Sequence, residues 1–165
     1  MTTFRDTQLL LSGMALFASG AFTTRRFCPD RPTHEVFIRG LGWTLSRGID
    51  QLAYERQGTL INWYDVSSVM RRLRADGRPV SIVGHSFGAD AAIELASELP
   101  VQALVLWDPT KPATAAAQRG HCLLSSNFQD HATTGLDLHI LPHLGHIEMA
   151  LDPFVLELTK AVLDG

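Results

Sequence analysis

The sequence predicts an α/β fold: a mostly parallel sheet of about six strands with helices on both faces. Three observations carry this. Short runs rich in Val, Ile and Leu alternate with segments whose apolar residues repeat at helical spacing. Glycine or proline punctuates nearly every junction, at Gly58, Gly77, Pro79 and Pro100. One run, "VQALVLW" at 101–107, is apolar almost throughout, as expected of a strand covered on both faces.

The elements follow in order. "EVFIR" at 35–39 reads as a strand ending at Gly40-Leu41-Gly42. From Ser46 the period changes, and Ile49, Leu52, Ala53 and Arg56 fall on one helical stripe that Gly58 stops. "TLINW" at 59–63 is a second strand. Asp65 is placed to cap a helix bearing Val66, Val69, Met70 and Leu73, closed by Gly77. Pro79 opens a third strand, and a helix follows Ser86 as far as Leu99-Pro100. After 101–107 and a polar stretch at 109–120, "HCLLSS" (121–126) and "LDLHIL" (136–141) are further strand candidates with no clear helix between them. From His146 to Leu163 the chain reads as helical, with Phe154, Leu158, Ala161 and Val162 on one face and Pro153 interrupting it or beginning its second part.

With 165 residues, 45% of them apolar and 19% charged, one globular domain is expected at 27–165, opened by the linker "FCPDRPTH". A net charge of -3 gives no electrostatic case for nucleic acid. Ahead of the domain, 1–26 holds the apolar run "LLLSGMALFASGAF", short for a membrane span of about 20 residues. It is a candidate helix that serves as signal or anchor, with membrane contact, or docks on the fold; export and a cytoplasmic location suit it equally. Cys28 and Cys122 make no metal pattern and would pair only in an exported protein.

The chemistry centres on "VSIVGHSFGADAA", 80–92, where a strand runs into a helix through Gly84-His85-Ser86-Phe87-Gly88. A serine on so sharp a turn is held up at the sheet's carboxyl edge, with small neighbours giving room and a helix N-terminus behind it. Such a serine needs a base. Of seven histidines, His146 has the best position, in the loop after the last strand and at the mouth of the final helix; His143 is the alternative. His85 should point away from the turn. Two aspartates compete to orient the base: Asp108, closing the strand 101–107, is preferred over Asp130, with Asp137 a weaker third. The backbone amides of Leu41 and Phe87 are the candidate oxyanion donors. Trp43 is a candidate pocket residue. His139, His143, His146 and Glu148 cross from strand to loop, so they do not form one ligating face for a metal.

These segments resemble the α/β-hydrolase superfamily: "VFIRGLG" as strand and oxyanion turn, "VSIVGHSFGADAA" as nucleophile elbow, "ALVLWDPT" as the following strand with an acid, and "LPHLGHIEM" as the histidine loop. The resemblance covers roughly 35–163 and implies a minimal member, without the first strands and without a cap domain. It implies a serine hydrolase of carboxylic esters, of lipase, esterase or thioesterase type. Ser86, His146 and Asp108 would be the triad, a small-molecule or lipid ester the substrate, with no metal or organic cofactor. In many relatives the acid follows the next strand, which corresponds to Asp130 here; in some lipase-like members it stands in a "DP" context like Asp108-Pro109. A catalytically inactive hydrolase-like binding or assembly protein is the competing class.

Overall fold

The computed structural model describes residues 31–41 and 43–165. The apolar segment 1–26, Cys28, Gly42 and the side chain of Trp43 lie outside the described residues. Strands β1 (His34–Arg39), β2 (Thr59–Asn62), β3 (Val80–His85), β4 (Val101–Trp107), β6 (Arg119–Ser125) and β8 (Asp137–Leu141) form one six-stranded sheet in the order β2-β1-β3-β4-β6-β8. Every neighbouring pair in it is parallel. The expected α/β class, with a mostly parallel sheet between helices, is therefore present.

Alternation along the strands divides the core in two. Val36, Ile38, Val80, Ile82, Leu104 and Leu106 face helices α2 (Val66–Asp76) and α3 (Phe87–Ala96). Phe37, Val83, Ala103, Val105, Trp107 and Leu123 face α1 (Arg47–Glu55) and α5 (Pro153–Asp164). Trp107 is fully buried there and donates its indole N–H to Thr159 Oγ1 on α5 at 3.0 Å. That bond satisfies a polar atom that burial would otherwise penalise.

The absence of helical pattern between β4 and β8 has a physical counterpart. The stretches 109–118 and 126–136 run extended or turning and pair with each other through β5 (Ala113–Thr114) and β7 (Thr133–Thr134). Ala113, Ala115, Phe128 and Leu136 from these stretches cover the core where a crossover helix would lie.

Two local expectations are corrected, the cap at Asp65 and the buried face of the last helix, and a third, the break at Pro153, is met. The side chain of Asp65 makes no capping bond: it sits in a 3-10 turn (Trp63–Asp65) that runs into α2, and its carbonyl accepts from Ser68 Oγ–H. The last helical stretch is two helices, α4 (His146–Met149) and α5, because Pro153 has no N–H to continue the first and Asp152 caps the second through Phe154 and Val155 N–H. The buried face of α5 is Val155, Leu156, Thr159, Val162 and Leu163; Phe154 and Ala161 are exposed.

Candidate active site

A parallel sheet gathers the carboxyl ends of its strands on one edge, and the chain reverses its direction of travel across this sheet between β1 and β3. At that edge β3 ends, Ser86 follows, and α3 begins at Phe87. Ser86 has φ 59° and ψ −127°, a region costly for a residue with a Cβ. The glycines around it are there because the backbones touch. A Cβ on Gly84 would come within 2.3 Å of the Gly88 carbonyl oxygen, and one on Gly88 within 2.2 Å of that of Ile38. A Cβ on Gly40 would lie 2.6 Å from the His85 carbonyl oxygen and 2.8 Å from Ser86 Cβ. The turn after β1 is thus pressed against the serine, and its next residue, Leu41, is half exposed beside it.

The histidine and the acid come from the other side of β3. Ser86 Oγ lies 3.0 Å from His146 Nε2, and His146 Nδ1 lies 2.9 Å from Asp108 Oδ2. Asp108 is fully buried; His146 keeps 23% of its side chain exposed. With Asp108 ionised and accepting, Nδ1 carries the ring proton and Nε2 is free to accept from the serine hydroxyl. Asp108 itself stands at φ 47°, and its second oxygen accepts from Ser125 N–H at 2.6 Å. One carboxylate oxygen is therefore fixed to β6 and the other is left for the imidazole.

The supporting contacts were not visible in the sequence. The Asn127 side-chain oxygen accepts from His146 N–H at 3.0 Å, and the Phe128 ring packs on the imidazole with centroids 4.9 Å apart. Asp90, in the first turn of α3, accepts from Thr110 N–H at 2.9 Å and ties down the turn that carries Asp108. Only the adjacency of His85 to Ser86 gave a hint of what lies beneath the site. The aspartates weighed beside Asp108 stand elsewhere: Asp130 is exposed in the turn after β6, and exposed Asp137 opens β8, 4.0 Å from His121. His143 is exposed as well.

Apolar side chains are exposed at this edge, at Phe87 next to Ser86 in the chain and in the turns after β1 and β2. Phe87, Trp63, Tyr64 and Leu41 are 40%, 39%, 57% and 49% exposed. The Trp63 ring lies 5.5 Å from Phe87 and 5.7 Å from Tyr64, centroid to centroid, and Asn62 holds the Tyr64 hydroxyl at 2.8 Å. Cys122, buried on β6, has its thiol pushed up to about 12 by burial and by the nearby Asp108 charge, so it stays protonated and unreactive.

No family model and no curated protein matches the chain. Among the described residues, no group of three or more His, Cys, Asp or Glu could hold a metal ion, and no helix is long and apolar enough to cross a membrane.

Proposed function

We propose that this chain is a serine hydrolase of carboxylic esters, of lipase, esterase or thioesterase type, built as a minimal α/β-hydrolase. The observation that carries the reading is the hydrogen-bonded series Ser86–His146–Asp108, at 3.0 and 2.9 Å, starting from a serine in a strained strand-to-helix turn. Ser86 Oγ attacks the carbonyl carbon as His146 Nε2 takes its proton. Asp108 holds the ring tautomer and stabilises the imidazolium. The amides of Leu41 and Phe87 receive the oxyanion, a contribution of about 3–4 kcal/mol for a donor in comparable sites. His146 returns the proton to the leaving oxygen or sulfur, and water, activated by the same ring, releases the acyl group.

His146 must reach the leaving oxygen or sulfur, so the alcohol or thiol departs on the β4–β6 side. The acyl part then lies on the other side, along Leu41, Trp63 and Phe87. That surface is apolar and open, which suits a hydrocarbon acyl chain rather than a charged one. The test is turnover of p-nitrophenyl acetate, butyrate and octanoate, with Trp63→Ala alongside. Higher kcat/KM for the longer esters, lost in Trp63→Ala, is expected. Equal rates for all three in both proteins would contradict the acyl placement, and no turnover of any would contradict the reaction.

An inactive hydrolase-like binding or assembly protein is the second reading. One observation favours it: edge strand β8 leaves Leu138 and Ile140 exposed at 44% and 48%. A folded protein that forms stable oligomers and turns over no ester would support it.

A further inference from the structure

His85 takes no part in the steps above, yet it is nearly inaccessible and lies directly under them. Alternation along β3 sends its ring to the face of Val83 and Trp107, away from the nucleophile. There its two nitrogens meet different partners. Nε2 lies 3.1 Å from the carbonyl oxygen of His146, which can only accept. Nε2 therefore carries the hydrogen, and Nδ1 is left as an acceptor. Nδ1 lies 3.0 Å from Ser46 Oγ, so the serine hydroxyl donates to it. Ser46 Oγ accepts in turn from Gly40 N–H at 3.1 Å. All the bonds run in one direction: Gly40 N–H to Ser46, Ser46 O–H to His85, His85 N–H to the His146 carbonyl.

The two ends of this series are functional parts of the proposed site. Gly40 begins the oxyanion turn, and His146 is the base. A second strap runs parallel to it: Gly48 N–H, at the start of α1, donates to the Ala150 carbonyl at 2.8 Å, at the end of α4. The His146 peptide is held from both sides, by Asn127 at its N–H and by His85 at its carbonyl. The His85 and His146 rings also pack with centroids 4.8 Å apart.

We propose that His85 is a positioning residue: fixed in its Nε2–H tautomer, it ties the backbone of the base to the oxyanion turn, so that proton acceptor and oxyanion donors keep a common register on Ser86. This rests on the ester-hydrolase reading. The ring suits the role because it does not charge. Burial, with the His146 charge as a smaller cause, brings its pKa down to about 3. A protonated ring would present two donors, and the Ser46 hydroxyl would lose Nδ1 as the acceptor of its hydrogen. The groups facing it are Ser46 from the start of α1, the His146 carbonyl and ring from α4, and Trp107 from β4. Of these only His146 is an ionisable group, with the Asp108 carboxylate behind it.

The test has two arms. The first is ¹⁵N NMR of the imidazoles in the full chain. His85 is expected in the Nε2–H tautomer, unmoved between about pH 5 and pH 9, and His146 resonances are expected to shift in Ser46→Ala and His85→Leu. An Nδ1–H tautomer, or titration of His85 in that range, would overturn the proposal. The second arm is kinetic. His85→Leu should lower kcat by about 10²-fold with little change in KM, as expected for a misplacement of about 1 Å at a reacting group. His85→Gln, which keeps a donor directed at the His146 carbonyl, should recover part of that loss. A folded His85→Leu protein with wild-type kcat would overturn the proposal. Should His85→Leu not fold, Ser46→Ala serves both arms. Wild-type protein that shows the expected tautomer but no esterase activity would count against the hydrolase reading and leave the strap in place.

Discussion

Replacing Asp108 by asparagine changes one atom and tests how the base is oriented. Asp108 Oδ1 accepts from Ser125 N–H at 2.6 Å, and a backbone donor cannot turn away. The asparagine must therefore keep its oxygen on Ser125 and place its NH₂ group toward His146 Nδ1. That nitrogen now faces a donor, so it gives up its hydrogen and the proton moves to Nε2. Nε2 then has nothing with which to accept from Ser86 Oγ. The fold should survive, since the buried oxygen keeps its partner. The expected loss in kcat is about 10⁴-fold, the size measured for this exchange in a serine protease triad, or about 5.5 kcal/mol of transition-state stabilisation. The assay is p-nitrophenyl butyrate turnover, with melting temperature as the control. A folded Asp108→Asn protein within tenfold of wild type would refute the reasoning, and an equivalent loss in Asp130→Asn alone would assign the acid to the other aspartate.

Thr159→Val removes the acceptor for the buried Trp107 indole at almost constant volume, and should destabilise by about 1–3 kcal/mol in urea melts, with esterase kinetics unchanged at low temperature. His85 gives stability a pH dependence. Its pKa falls from the ordinary 6.5 to about 3 on folding, so below 6.5 the unfolded chain binds a proton that the folded chain refuses. Stability should fall as pH drops from about 6.5 toward 3, by up to about 1.4 kcal/mol per pH unit. Urea melts from pH 7 to pH 4.5 should show a shallower decline in His85→Leu than in wild type; equal slopes would contradict this.

Much of the fold could be read from the chain because the central strands are buried on both faces and the turns are marked by glycine or proline. Val101–Trp107 and the Val80–Gly88 junction are the clearest cases. The β5–β7 pairing was not legible, because two-residue strands carry no period and their register depends on chain folded far from either. The face of α5 was misread because Phe154, the largest apolar residue there, stands in solvent, while polar Thr159 is buried to serve Trp107. At the site, Ser86, Asp108 and His146 were named from chain order and from their places at strand ends. The turn of His85 away from the serine was also read; Asn127, Ser46 and the bonds His85 makes were not. A side chain that holds a backbone group across the fold has no local pattern, and only packing brings it there.

Labelling of the purified protein with a fluorophosphonate probe tests the central claim most directly, because the probe reacts with a serine only where a base and oxyanion donors activate it. Stoichiometric labelling of wild type, absent in a folded Ser86→Ala variant and strongly slowed in His146→Ala, is the predicted result. A folded wild-type protein that takes up no probe, or one labelled equally after Ser86→Ala, would contradict the account.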